Sequence, residues 1–101
     1  MIKINAIVLH TSACPTQWYG ETEDKEVIYF RYRWGGLSYG IGKDKDEAVH
    51  NSVTAGVKII GDAFDGELAY EELKNTLKDA FIFPELENDY ERFKEEEPYA
   101  Q

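Results

Sequence analysis

The sequence has little of the chemistry from which most recognisable sites are built. Cysteine occurs once, at Cys14, so no internal disulfide can form, and this scarcity favours an intracellular, cytoplasmic protein. Histidine occurs twice, and no apolar run approaches the roughly 18 residues that a membrane helix needs. The first residues alternate apolar and polar side chains and lack a cleavage site, so we expect mature structure there and no signal peptide.

Negative charge is plentiful and unevenly placed. The 101 residues carry a net charge of −9. Residues 1–43 hold five bases and four acids, a net +1, whereas residues 44–101 hold sixteen acids and six bases, a net −10. An acidic surface of this kind repels phosphate backbones and suits a basic partner, although it also serves solubility. With 43% apolar residues, the chain is expected to form one domain over residues 1–101.

Residues 1–42 have the alternation of an antiparallel β-meander. Strands are predicted over residues 1–10, 16–22, 26–34 and 37–41, with the first at an edge of the sheet and Gly35-Gly36 as the last turn. The third strand has two distinct faces. One face, with Ile28, Phe30, Tyr32 and Trp34, is expected to be core together with Trp18; if the helices cover the arginine side instead, the assignment is reversed. The other face holds Val27, Tyr29, Arg31 and Arg33.

From residue 43 to residue 96 the period becomes helical. Asp44 and Glu47 have the spacing of a capping box, and a stripe of Val49, Val53, Val57 and Ile60 predicts a helix that ends near Gly61. A shorter helix followed by a strand at residues 57–60 is the alternative. A second helix is predicted over residues 67–81, with Leu68, Leu73, Leu77 and Ala80 facing inward.

A third helix is predicted to start at Pro84, because Leu86, Tyr90 and Phe93 repeat at helical spacing. It is expected to stop before Pro98, leaving a loose tail over residues 97–101. The fold class is therefore α+β: an antiparallel meander of three to four strands packed against two to three C-terminal helices.

Candidate catalytic residues are few. Cys14, His10 and His50 form the sole potential nucleophile set, and a reactive cysteine needs a base or a positive charge close by. On a strand and loop, four residues can span more than about 10 Å, so we expect Cys14 to be a buried or half-buried thiol without a catalytic role. No enzyme activity and no cofactor are predicted.

Residues 61–72 resemble the calcium-binding EF-hand loop in outline. Gly66 falls at the sharp-turn position and Glu72 at the bidentate position. However, Gly61 and Ala63 stand at the first and third ligand positions and supply no side-chain oxygen. No metal site is predicted, and the segment is interpreted as an Asp65-Gly66 turn that leads into a helix.

Two surfaces remain as candidate binding sites, and the sequence leaves the oligomeric state open, a dimer included. The first is acidic and would engage a protein partner with a basic surface through Glu67, Glu71, Glu72, Glu85, Glu87, Asp89 and Glu91. The second would bind an anionic ligand or single-stranded nucleic acid, since arginine beside aromatic rings suits stacking, and it comprises Tyr29, Arg31, Arg33, Tyr19 and Tyr39. Simple packing of those rings is the competing explanation.

Two segments carry a resemblance to known proteins. CPTQWYG at residues 14–20, followed by YFRYRWGGLS at residues 29–38, resembles a pattern in small uncharacterised proteins of phages and mobile elements. The resemblance is confined to these two segments and implies no activity of its own. It makes a phage-encoded inhibitor of a nucleic-acid-handling or defence system, similar to an anti-CRISPR protein, a candidate, and such a protein would act in the cytoplasm of the host cell.

Overall fold

A computed structural model describes residues 1–87 and shows an α+β fold on one six-stranded sheet. The elements, in chain order, are β1 (Ile2–Ser12), β2 (Thr16–Thr22), β3 (Val27–Arg33), β4 (Gly36–Gly42), α1 (Lys45–Thr54), β5 (Lys58–Ile59), α2 (Tyr70–Thr76) and β6 (Phe81–Ile82). The strand order is β5-β4-β3-β2-β1-β6, antiparallel except for β1 with β6. The α+β class and the antiparallel meander are confirmed. Neither helix is long and apolar enough to cross a membrane.

The first strand is not at an edge, so that prediction is wrong. β1 lies between β2 and β6, and it pairs with β6 at Ile2 opposite Phe81. The backbone N–H of Ile2 also donates to the carbonyl of Ala80 at 3.1 Å. This pairing places Phe81, near the end of the described residues, beside the first strand, and the Phe81 side chain is buried.

Both faces of the sheet are covered, because alternate residues of β3 belong to different core clusters. Ile28, Phe30 and Tyr32 pack with Trp18, Leu68, Leu73 and Phe81 on the face that residues 68–86 cover. Val27 and Tyr29 pack on the opposite face with Val8, Tyr19 and Ala48, the last of which belongs to α1. The predicted core face is confirmed for Phe30, Tyr32 and Trp18.

Trp34 is the exception on that face, because it lies in the turn and its side chain is 60% exposed. Arg33 pairs with Gly36, so the two turn residues are Trp34 and Gly35 rather than the two glycines. Both have positive φ, 57° and 71°, which is the backbone that a tight type I′ hairpin needs. The predicted turn was therefore one residue too late, and Trp34 is lost from the core.

The alternative of a short helix followed by a strand is confirmed after β4. Asp44 caps α1 by accepting a hydrogen bond from the N–H of Glu47 at 2.9 Å. The helix ends at Thr54, and Gly56 follows with φ of +90°, a conformation that favours glycine. β5 then pairs with β4.

Of the predicted stripe, Val49 packs against a core cluster, but Val53 is 79% exposed and Val57 60% exposed, so the stripe as a whole does not face the core. The buried residues of α1 are Lys45, Ala48 and Ser52. A Cβ atom built on Gly40 would lie 2.2 Å from the carbonyl oxygen of Ala48, so the helix backbone rests directly on β4. Only small side chains fit at such a close approach.

The second helix is shorter than predicted at both ends. At its start the N–H of Leu68 donates to the hydroxyl of buried Thr16 at 3.0 Å, so residues 67–69 precede the helix. At its end the chain turns at residues 77–80 to place Phe81 beside β1. The inward positions were correct, since Leu68 and Leu73 are buried and Leu77 and Ala80 pack against them.

The predicted third helix does not begin at Pro84. The N–H of Glu87 donates to the carbonyl of Ile7 at 2.8 Å, and Glu87 forms a parallel bridge with Val8. Residues 83–87 therefore run beside β1 without helical structure. The remainder of the predicted helix, with Tyr90 and Phe93, lies outside the described residues, as does the predicted tail over residues 97–101.

Candidate binding sites

A groove of about 490 Å³ lies between the β1–β2 strands and the segment that leads into α2. Its apolar base includes Leu9, Trp18, Leu68 and Leu86. Three carboxylates also line it: Asp65, Glu67 and Glu72. We call this feature the acidic groove.

Two hydrogen bonds fix the walls of the acidic groove. Thr16, 1% exposed, accepts from the N–H of Leu68 and so holds the entry to α2 against β2. The hydroxyl of Tyr70 donates to the carbonyl of Pro84 at 2.5 Å and joins the start of α2 to the segment that runs beside β1. Burial, with a smaller contribution from the Glu71 carboxylate, raises the pKa of Tyr70, so this hydroxyl stays a donor at neutral pH.

The carboxylates of the groove are not neutralised by neighbouring cations. Within residues 1–87, none of Asp65, Glu67 and Glu72 forms an ion pair. Asp65 instead accepts a hydrogen bond from the hydroxyl of Tyr32 at 2.6 Å. Burial and this hydrogen bond raise the pKa of Tyr32 to about 12. The groove therefore combines an apolar base with uncompensated negative charge.

Trp18 adds a polar group to the apolar base. Its side chain is 1% exposed, and its indole Nε1–H has no hydrogen-bond acceptor among residues 1–87. A buried donor without an acceptor costs on the order of 1–3 kcal/mol.

The other predicted acidic residues do not line the groove. Glu71 pairs with Lys74 at 2.9 Å, Glu85 is exposed, and Glu87 is half-buried beside β1. Asp89 and Glu91 lie outside the described residues. The structure thus joins Glu67 and Glu72 to Asp65, which the sequence had indicated only as a turn residue.

The predicted tyrosine–arginine platform is not assembled. Tyr19 and Tyr29 are buried in the core cluster that includes Ala48 of α1, with ring centroids 5.1 Å apart. The hydroxyl of Tyr29 donates to Gln17 Oε1, and burial, partly offset by Arg31, raises the pKa of Tyr29 to about 12. Tyr39 packs on the opposite face, 5.0 Å from the ring of Phe81. The platform fails because α1 covers the face on which bases would stack.

The two arginines of β3 differ in their surroundings. The guanidinium of Arg33 lies over the Trp34 ring, 4.6 Å from its centroid. Arg31 lies opposite Ser38 in the sheet and lines a separate cleft beside α1. Arg31 therefore faces a cleft beside α1, whereas Arg33 lies at the turn and lines a smaller pocket of about 90 Å³ with Trp34 and Phe64.

The potential nucleophile set is spread over three elements. Cys14 is exposed, so the prediction of a buried or half-buried thiol is wrong; it lies in a loop against Gly66. His10 packs on Tyr19 with ring centroids 5.2 Å apart, and His50 is exposed on α1. A search of residues 1–87 finds no group of three His, Cys, Asp or Glu side chains placed to hold a metal ion.

Compared with protein-family models, curated proteins and solved structures, the chain matches none of them. The acidic groove places three carboxylates beside apolar side chains. Lysine and arginine side chains have an apolar stem that packs on hydrophobic surface and a charged head that reaches a carboxylate.

Proposed function

We propose that this chain is a small non-enzymatic interaction protein that binds a basic segment of a protein partner in the acidic groove. The observation that carries the proposal is the set of three carboxylates without ion-pair partners beside an apolar base. Uncompensated carboxylates on an apolar surface favour a ligand that brings both positive charge and hydrocarbon.

The groove can satisfy each part of such a segment. Arginine or lysine stems would pack on Leu9 and Leu86, and the cationic heads would reach Glu67 and Glu72. Charge-assisted hydrogen bonds of this kind are roughly twice as strong as neutral ones.

The partner class that fits is a protein whose basic surface otherwise binds nucleic acid. An acidic protein on such a surface would exclude the phosphate backbone, so we propose that the chain acts as an inhibitor of a nucleic-acid-handling or defence system. A specific interface buries about 800 Å² on each partner. That area is larger than the surface of the groove, so the interface would extend beyond the groove and could include the exposed carboxylate of Glu85.

The test uses a fluorescein-labelled peptide of alternating arginine and leucine, with binding followed by fluorescence anisotropy at several salt concentrations. We expect saturable binding that weakens steeply with salt, because exposed charges are screened over about 8 Å at physiological ionic strength. A peptide with citrulline in place of arginine keeps the shape and loses the charge, and it should not bind.

The matched variants decide whether binding is confined to the groove. Glu67→Lys with Glu72→Lys should abolish binding. Glu23→Lys with Glu26→Lys, in the exposed β2–β3 turn, makes the same change in net charge away from the groove and should leave most binding intact. Equal losses in the two double variants would show general charge attraction and overturn the proposal.

A further inference from the structure

A second cleft, of about 440 Å³, lies on the α1 face of the sheet. Arg31, Ser38 and Tyr29 of the sheet line one side of it, and Val49, Val53 and Val57 of the α1 region line the other, together with Ser52. Its volume falls in the range of about 300–1,000 Å³ that is usual for small-ligand sites. We call it the Arg31 cleft.

The polar wall of the Arg31 cleft presents donors. Arg31 and Ser38 are directly opposite each other on β3 and β4, so their side chains start side by side on one face. In the part of the chain that is described, no carboxylate forms an ion pair with Arg31 and no group bonds to the Ser38 hydroxyl. A guanidinium keeps its charge at all physiological pH values. This wall therefore offers a fixed positive charge and a hydroxyl to the same ligand.

The other wall is apolar and unusually open to solvent. Val53 is 79% exposed and Val57 is 60% exposed, although both have the hydrophobic character of core residues. Val53 is exposed because α1 approaches the sheet through Ala48 and Ser52, and Val57 follows the helix in the segment that leads to β5. A ligand with a hydrocarbon portion would remove this surface from water.

We propose that the Arg31 cleft binds a small amphipathic anion, with the anionic group on Arg31 and Ser38 and a hydrocarbon chain on Val53 and Val57. Among residues 1–87, no carboxylate lines the cleft, whereas three line the acidic groove, so the two sites would select ligands of opposite charge. The site is independent of the proposed protein partner, and either can fail without the other.

The net charge of −9 does not prevent an anion from binding there. Exposed charges more than a Debye length away, about 8 Å at physiological salt, contribute little at the cleft. The other charged side chain on the same face of β3 is Arg33, whose guanidinium lies over Trp34, so this strand brings no negative charge to the cleft.

The experiment is a titration of the ¹⁵N-labelled full chain with sodium octanoate, followed by amide chemical shifts. We expect saturable shifts centred on Arg31, Ser38 and Ser52. Octylammonium chloride, with the same chain and the opposite charge, should not shift these amides. Equal shifts with both compounds would overturn the proposal, because the cleft would then recognise hydrocarbon alone.

Two variants on β3 separate the site from general charge effects. Arg31→Gln should weaken octanoate binding by about tenfold or more, as loss of a charge-assisted hydrogen bond predicts. Arg33→Gln removes the same charge from a residue that packs on Trp34 and should bind octanoate within about twofold of the parent. Unchanged binding by Arg31→Gln would overturn the proposal.

Val53→Ser tests the apolar wall without disturbing the core, since Val53 is exposed. It should weaken octanoate binding and leave the urea midpoint nearly unchanged. Sedimentation with phosphatidylglycerol vesicles separates a free anion from a lipid headgroup. Octanoate shifts without co-sedimentation support the proposal, whereas co-sedimentation without octanoate shifts overturns it.

Discussion

Replacing Gly40 by alanine tests the close approach of α1 to the sheet. Gly40 lies on β4 beneath α1, and an added Cβ would be 2.2 Å from the carbonyl oxygen of Ala48 and 2.3 Å from the backbone nitrogen of Ser52. Both neighbours are backbone atoms of a helix. They cannot move aside singly, so the whole helix must lift from the sheet.

The expected cost follows from two opposing effects. Overpacking of a well-packed site costs about 1–3 kcal/mol. Alanine also lowers the conformational entropy of the unfolded chain relative to glycine, which stabilises the folded state by about 0.4–1 kcal/mol. We therefore expect Gly40→Ala to lower the free energy of unfolding by roughly 1–2 kcal/mol. For a domain of this size, the Tm should fall by about 5–15 °C.

Gly36→Ala is the matched control on the same strand and face. Its Cβ would meet the Cγ1 of Val57 at 2.3 Å, which is a methyl group of an exposed side chain that can rotate away. Its stability should change by less than about 1 kcal/mol. Urea unfolding followed by tryptophan fluorescence and circular dichroism measures both variants. Equal stability of Gly40→Ala and the parent would refute the described packing of α1 on β4.

Three further predictions concern single groups. Because folding raises the pKa of Tyr32 from 10.0 to about 12, the stability that its protonated hydroxyl contributes is present below pH 10 and lost as pH rises from 10 to 12. Tyr32→Phe should make the urea midpoint less dependent on pH in that window, and an unchanged dependence would contradict the assignment. Asp44→Ala should lower the free energy of unfolding by about 1 kcal/mol, whereas Asp44→Asn, which keeps a capping oxygen, should cost less. Cys14 is exposed, so Ellman's reagent should titrate one thiol per native chain without denaturant; a thiol that reacts only in urea would contradict its placement.

The meander was predictable because its signal is local. Alternating residues in the β3 segment identify the core face through Phe30 and Tyr32, and both are buried there. The turn was displaced by one residue because a tryptophan with positive φ is uncommon. The local sequence gives no reason to expect that the turn consists of Trp34 and Gly35 rather than Gly35 and Gly36.

The packing of α1 was not predictable from helical periodicity. Valines at helical spacing normally indicate the buried side of a helix. Here the sheet provides Gly40 and Gly42 beneath the helix, and a Cβ on either would meet α1 at less than 3.0 Å. The small residue Ala48 therefore faces inward. The glycines of β4 determine which side of α1 is buried, so the sequence of the helix alone does not reveal it.

The acidic charge of the groove could be predicted from the sequence, but most of the residues that line it could not. The excess of acid after residue 43 indicated a site for basic ligands, and Glu67 and Glu72 are part of the acidic groove. Its apolar base comes from residues as distant in sequence as Leu9 and Leu86. Such a combination depends on the long-range pairing of β1 with the end of the described chain, which no local pattern contains.

That pairing also has a consequence for synthesis on the ribosome. β1 emerges first, yet its second neighbour is supplied by residues 81–87. Until those residues leave the exit tunnel, the nascent chain presents an open strand edge that carries Ile4 and Ile7, and unpaired strand edges promote aggregation. Contacts of such large sequence separation also slow folding. The native sheet can therefore be completed only after residues 81–87 have been made, and a chain that stalls before residue 81 would be exposed to misassembly.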